Sequence, residues 1–148
     1  MIRQSNGGFL VGKIKQIQGR VFEKMLAAYG VDAFNGAQGR ILFVLWREDG
    51  ISISVLSAQT GLAKTTLTSM LDRLEASGYI RRTPDPADRR ATHICLTDAA
   101  NALRDAYEEV SAQMNSVFYE GFTDAEIRNF EGSLARVLAN LVRKEAEK

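Results

Sequence analysis

The segment between residues 54 and 97 constrains the fold of this chain more than any other. Residues 54–60 predict a short helix, Gly61-Leu62 a turn, and residues 64–77 a longer helix that Gly78 ends. Two helices joined by a Gly-containing turn are typical of a helix-turn-helix. The apolar residues of the longer helix recur at the three- and four-residue spacing of one buried face, and they are Leu67, Met70, Leu71 and Leu74.

The opposite face of the longer helix is small, hydroxylated and mildly basic. Since the major groove of B-DNA is about 12 Å wide and admits one helix, such a face suits contact with base edges and phosphates. Asp72 lies on the same face. It could orient a neighbouring arginine, which we favour, or accept from a cytosine amino group. The other polar side chains on this face or beside it are Thr65, Thr66, Thr68, Ser69 and Arg73.

A basic β-hairpin is predicted directly after this helix. Residues 79–83 and 91–97 have the composition of two short strands, and both prolines of the chain lie in the turn between them. Arg81, Arg82, Arg89 and Arg90 fall within ten residues. Arginines of a hairpin beside a recognition helix would lie against phosphates or enter the minor groove. Helices followed by a hairpin in this order indicate a winged helix-turn-helix.

Long amphipathic helices flank this unit. We predict helices over Phe9–Tyr29, Gly36–Glu48 and Asp98–Tyr119, and a last helix that begins at the capping box Thr123-Asp-Ala-Glu126. The second of these is apolar on every side, so Phe43 and Trp46 are expected in the core. The alternative for both is to line an effector pocket near the dimerisation helices. The other three expose apolar stripes that one chain cannot close, and a second copy is expected to cover them.

Composition excludes several classes of function. With one cysteine and one histidine, one subunit can assemble neither a Cys/His zinc site nor a disulfide framework. His93 has no recognisable nucleophile and carboxylate around it, so no enzyme is predicted and no cofactor or metal is expected. Cys95 is interpreted as a small filler or a semi-exposed bystander, with oxidant sensing as the alternative. The polar start and the short apolar runs predict a cytoplasmic protein without a membrane span.

The stretch GLAKTTLTSMLDRLEASGYIRRTPDPADRRATHICLT resembles the recognition helix and wing of the MarR family of bacterial transcription regulators. Its wing signature is present as Asp88, Arg90, Leu96 and Thr97. The resemblance implies wing contacts from Arg89 and Arg90. It implies groove contacts from Lys64, Thr65, Thr66, Thr68, Ser69 and Arg73. Asp88 is expected to hold a wing arginine, because a carboxylate repels phosphate.

The resemblance also implies a homodimer with interlocking terminal helices, a pseudo-palindromic double-stranded DNA operator, and a small aromatic or phenolic effector. The effector would bind between the dimerisation helices and the DNA-binding lobe, at residues that the sequence does not identify. We therefore predict a mainly α fold with a small β-hairpin wing. Residues 35–97 would form the DNA-binding lobe, and residues 1–34 and 98–148 the dimerisation region.

The sequence accordingly predicts a sequence-specific transcription regulator, and more specifically a repressor that a ligand releases from DNA. The alternative is a winged-helix module in which the same helix docks a protein partner. A module that has lost DNA binding should lack the wing arginines, and this chain keeps Arg89 and Arg90.

Overall fold

The computed structural model describes residues 4–31 and 36–147, and it is mainly helical with one small sheet. Its elements in chain order are α1 (Gly7–Ala28), α2 (Gly36–Arg47), β1 (Ile51–Ser52), α3 (Ile53–Thr60), α4 (Lys64–Ala76), β2 (Ile80–Pro84), β3 (Thr92–Leu96), α5 (Asp98–Ala102), α6 (Arg104–Phe118) and α7 (Asp124–Ala146).

The predicted two-stranded hairpin has a third strand. β1 pairs antiparallel with β3, which pairs antiparallel with β2, so the sheet order is β1-β3-β2. The two residues of β1 are too few to show an alternating pattern, so hydrophobic patterning does not predict this strand. Ser52, its last residue, caps α3 by accepting from the Val55 amide at 3.2 Å. Gly61 ends α3 in the left-handed conformation, with φ +73°.

The core lies between α2, α3, α4 and the sheet. Trp46 is buried, as predicted, and its indole Nε1 donates to the Ala100 carbonyl at 3.3 Å. The prediction for Phe43 is wrong, because its side chain is 44% exposed and lies under the Arg47 guanidinium, 5.4 Å from the ring centroid. The fully buried side chains here are Ile41, Leu42, Leu45, Leu56, Leu67, Leu71, Leu74, Ile80 and Ile94.

The helix predicted over Asp98–Tyr119 is two helices, α5 and α6. Thr97 caps α5 as expected, accepting from the Ala100 amide at 3.4 Å. At Leu103 the chain makes a tighter turn, in which the Leu103 amide donates to the Ala100 carbonyl at 3.2 Å. The apolar spacing continues through this turn. The sequence pattern therefore did not reveal the interruption.

The chain divides into two compact units, and the boundary lies between Ser111 and Ala112. In the second unit, Thr123 and Glu126 form the predicted capping box at the start of α7. An aromatic cluster precedes and contacts this helix, with ring centroids 4.8–6.3 Å apart among Phe118, Tyr119, Phe122 and Phe130. The Tyr119 hydroxyl donates to the Glu131 carboxylate at 3.1 Å and fixes the cluster to α7.

The outer parts of the terminal helices expose large apolar side chains. On α1 these are Phe9, Leu10, Val11, Ile14 and Ile17, which are 41–72% exposed. On α7 they are Val137, Leu138, Leu141 and Val142, which are 51–62% exposed. Within residues 4–31 and 36–147, no helix is both long enough and apolar enough to cross a membrane.

Candidate nucleic-acid interface

α4 separates an apolar face from a polar one. Leu67, Leu71 and Leu74 are buried to 1% exposure or less, and they fix the helix against the core. The side chains predicted for DNA contact are all exposed, namely Lys64, Thr65, Thr66, Thr68, Ser69 and Arg73. Four of the six are short hydroxyl side chains. Of the two cations, Lys64 begins the helix and Arg73 lies in its last turn.

The first turn of α4 differs from that of the other capped helices. α3, α5 and α7 begin at Ser52, Thr97 and Thr123, whose side chains accept from backbone amides. α4 begins at Ala63, which has no side chain to do so, and its first turn contains no acidic residue. The free amides of this turn, the helix dipole and Lys64 together favour an anion such as a phosphate.

Two aspartates shape the tip of the wing. The Asp85 carboxylate accepts from the Ala87 amide at 2.8 Å, and the Asp88 carboxylate accepts from the Arg90 amide at 2.9 Å. Asp88 thus contacts a wing arginine, Arg90, through its backbone amide. Arg89 and Arg90 are exposed at this tip. The aspartates order the turn, and the arginines extend from it.

His93 connects the wing tip to the sheet. Its Nε2 lies 3.1 Å from Asp85 Oδ2. The amide of Ala87 is the main cause that lowers the pKa of Asp85 below the ordinary value of 3.8, and the charge and hydrogen bond of His93 lower it further. Asp85 therefore keeps its charge and its turn-forming bonds at neutral pH.

Arg82 points from the wing back to α4. Its Nη2 donates to Asp72 Oδ1 at 2.8 Å, and its Nη1 donates to Glu75 Oε1 at 3.0 Å. Of the two roles open for Asp72, the structure shows the first, the orientation of an arginine. Sequence reasoning included Arg82 only as one of four hairpin arginines. Its position facing the helix depends on strand pairing that spacing alone does not give.

Cys95 lies between two buried neighbours in β3, as strand alternation predicts. Its thiol is half-buried, and its Sγ is 3.7 Å from the Thr83 hydroxyl. Among the described residues, no three histidine, cysteine, aspartate or glutamate side chains cluster closely enough to hold a metal ion.

A surface depression of about 630 Å³ lies between α2 and α3. Its lining combines two guanidinium groups, an aromatic ring and the hydrogen-bonded pair of Gln59 and Glu48; the residues are Arg40, Phe43, Val44, Arg47, Glu48 and Gln59. All six belong to the segment predicted as the DNA-binding lobe.

This fold and this exposed face define a winged helix-turn-helix protein. A family model described as the MarR family matches residues 34–92. The transcriptional regulator PecS of Dickeya dadantii is 30% identical over 135 residues, which are 89% of this chain and 80% of PecS. The transcriptional regulator TtmR of Methylorubrum extorquens is 38% identical over 86 residues, 58% of this chain but only 43% of TtmR.

A crystal structure of a MarR mutant from E. coli complexed with operator DNA superimposes with a TM-score of 0.78. It is 25% identical, and the match covers 88% of this chain and 92% of that one. The chain belongs to the MarR family of transcription regulators, which bind DNA through a winged helix. It is a transcription regulator and not an enzyme.

Proposed function

We propose that the protein binds a pseudo-palindromic operator as a homodimer and represses transcription until a small ligand releases it. The observation that carries this proposal is the exposed polar and basic face of α4 beside the two exposed arginines at the wing tip. One element matches the major groove, and the other reaches the flanking backbone or minor groove.

The DNA contacts divide by chemistry. Lys64 and Arg73 on α4, and Arg89 and Arg90 on the wing, would contact phosphates and set the register of the protein on the duplex. The hydroxyls of Thr65, Thr66, Thr68 and Ser69 would reach base edges or phosphates, and the α4 amides would bind one phosphate.

Homodimerisation is supported by the apolar faces of the terminal helices. Large exposed apolar patches mark interaction sites, and α1 and α7 present five and four exposed large apolar side chains. We assign dimerisation to residues 1–34 and 98–148, and DNA binding to residues 35–97. A two-fold dimer would place its two α4 helices about 34 Å apart, one turn of B-DNA.

Relief by a ligand would act through this spacing. A small aromatic or phenolic molecule bound between the dimerisation helices and the lobe would favour one separation of the two α4 helices. Because both helices must enter successive major grooves at once, a change of a few ångströms in that separation would end their joint fit.

The experiment is recovery and sequencing of genomic fragments that bind the purified protein at near-physiological salt. The proposal predicts enrichment of a pseudo-palindrome with half-sites about 10 bp apart. Binding that is independent of sequence, or no binding, would contradict it and favour a protein partner for α4.

The same operator then tests the assigned face. Arg73→Ala and Arg90→Ala should each weaken binding, and loss of one phosphate contact should lower the salt slope of log K by about one unit. Arg136→Ala on α7 removes the same charge outside the lobe and serves as the control. If neither lobe variant changes affinity or salt slope, the face is wrongly placed.

A further inference from the structure

One guanidinium joins the wing to the recognition helix. Arg82 is the middle residue of β2, and it makes four hydrogen bonds to α4, three from its side chain and one from its backbone amide. In addition to its bonds with Asp72 and Glu75, its Nη2 lies 3.5 Å from the Thr68 carbonyl. Its own backbone amide donates to Glu75 Oε2 at 3.1 Å. Thr68, Asp72 and Glu75 lie at i, i+4 and i+7, so they form one row on the helix surface.

We propose that Arg82 is a positioning residue for operator recognition and does not itself contact DNA. The cluster of Asp72, Glu75 and Arg82, here named the α4–wing clamp, fixes the angle between the recognition helix and the wing. Selective binding to the operator depends on that angle. This inference rests on the proposed function, since it concerns how the same face discriminates between DNA sequences.

The geometry requires an arginine. Its planar fork presents several donors in fixed directions, so one side chain can bond two carboxylates and a backbone amide can add a third bond. A lysine is a single flexible point charge and would bond one carboxylate at a time. The Arg82 side chain is only 25% exposed, compared with 64% for Asp72 and 41% for Glu75.

The charges separate Arg82 from the other wing arginines. Its guanidinium already faces two carboxylates, so the clamp carries a net charge of −1 and has no cation to spare for a phosphate. Beyond Arg82 the strand becomes exposed at Thr83 and Pro84. The clamp therefore connects β2 to α4 directly before the exposed residues that lead to Arg89 and Arg90 at the tip.

The test compares two duplexes, the enriched genomic pseudo-palindrome and a scrambled duplex of equal length, over a series of salt concentrations. Arg82→Ala should weaken operator binding about tenfold or more, the scale of one mispositioned set of base contacts. Binding to the scrambled duplex should change less than about twofold, and the salt slope should change by less than about half a unit.

Two further variants separate positioning from charge. Arg81→Ala removes the same charge from the neighbouring exposed residue of β2, and it should change both duplex affinities by the same factor. The triple variant Asp72→Asn, Glu75→Gln, Arg82→Gln removes the clamp without leaving unpaired carboxylates. If Arg82 acts by positioning, the triple variant should still discriminate poorly between the operator and the scrambled duplex. If Arg82→Ala weakens binding only because two unpaired carboxylates repel the DNA, the triple variant should recover operator binding.

Three results would overturn the proposal: unchanged operator affinity in Arg82→Ala, an equal loss on both duplexes with a salt slope lower by about one unit, or recovery in the triple variant. Failure of the proposed function is distinguishable, because then the unmodified protein itself would not discriminate. In that case the proposal is tested by amide hydrogen exchange without DNA, comparing Arg82→Lys with the unmodified protein. If the clamp orders the wing, exchange in residues 83–93 should be faster in the variant, and exchange in α4 should be unchanged. Exchange rates in residues 83–93 that are the same in both proteins would overturn the proposal.

Discussion

Two helices of this protein, α4 and α7, have similar apolar spacing and different surroundings. In the 13-residue α4, three leucines are buried to 1% exposure or less. In the 23-residue α7, no side chain is buried, and Leu138 and Leu141 are each 62% exposed. Each helix has one apolar stripe, but only α4 finds a complete partner surface within the chain.

This difference in burial shows which parts of the fold one chain can stabilise alone. Burial of a leucine side chain contributes about 1.5–3 kcal/mol, and only where other apolar atoms cover it. The leucines of α4 obtain this contribution because α2, α3 and the sheet cover them. The exposed apolar side chains of α7 obtain it only if a second molecule packs against them.

The largest effect is expected from substitutions that prevent a second molecule from packing on the apolar stripe of α7. Leu138→Glu with Leu141→Glu places two charges in the stripe and should convert the dimer to a monomer, measured as a halved mass by light scattering. Operator affinity should fall about 10²–10⁴-fold, because the two half-sites lose their linkage. Ala139→Glu with Asn140→Glu adds the same charges to α7 outside the stripe and should leave the mass unchanged. A double stripe variant that remains a dimer would contradict the comparison.

A core substitution in α4 should have a different signature. Leu71→Ala removes a fully buried side chain, and should lower the free energy of unfolding by about 2–5 kcal/mol, measured by urea denaturation. Leu138→Ala is the matched change on α7. Its effect should appear mainly as a stronger dependence of the midpoint on protein concentration. Equal, concentration-independent losses in both variants would show that the two helices are alike after all.

The smallest effect concerns Tyr107, whose ring packs against Phe22 and Trp46 in the first unit. Burial raises its pKa from the ordinary 10.0 to about 12, and Arg40 partly opposes the shift. The folded state thus holds the phenol proton more tightly than the unfolded state does. Its contribution to stability is complete below pH 10 and is lost as the pH rises towards 12.

Thermal melting at a series of pH values from 9 upward tests this assignment. The unmodified protein should lose stability over that alkaline window, and Tyr107→Phe should lose less of it. Tyr29→Phe, at an exposed position of the same unit, is the control and should behave as the unmodified protein. An identical alkaline loss in Tyr107→Phe would place the responsible group elsewhere.

Local signals predicted much of the fold. The starts of α5 and α7 and the end of α3 were predicted correctly because a single residue decides each one: Thr97, Thr123 and Gly61. The DNA-binding role of the α4 and wing residues remains a prediction from sequence. The structure adds that all of them are exposed.

What the sequence did not predict depends on tertiary contacts. Phe43 belongs to a continuous apolar run, and only the packing of α2 decides which side of it faces outward. Arg82 is one of two adjacent arginines in β2, and the pairing of β2 with β3 turns one towards α4 and the other away. The interruption at Leu103 likewise leaves the apolar spacing intact.

The burial of Trp46 also determines which transition its fluorescence reports in solution. It is the only tryptophan of the chain, it is 7% exposed, and its ring centroid lies 5.0 Å from that of Tyr107. Its fluorescence should therefore be shifted to short wavelength in the native protein and move to longer wavelength only when the core around it opens. Emission reports the core between α2 and α6, while scattering reports assembly, so one titration followed by both signals would resolve the two transitions.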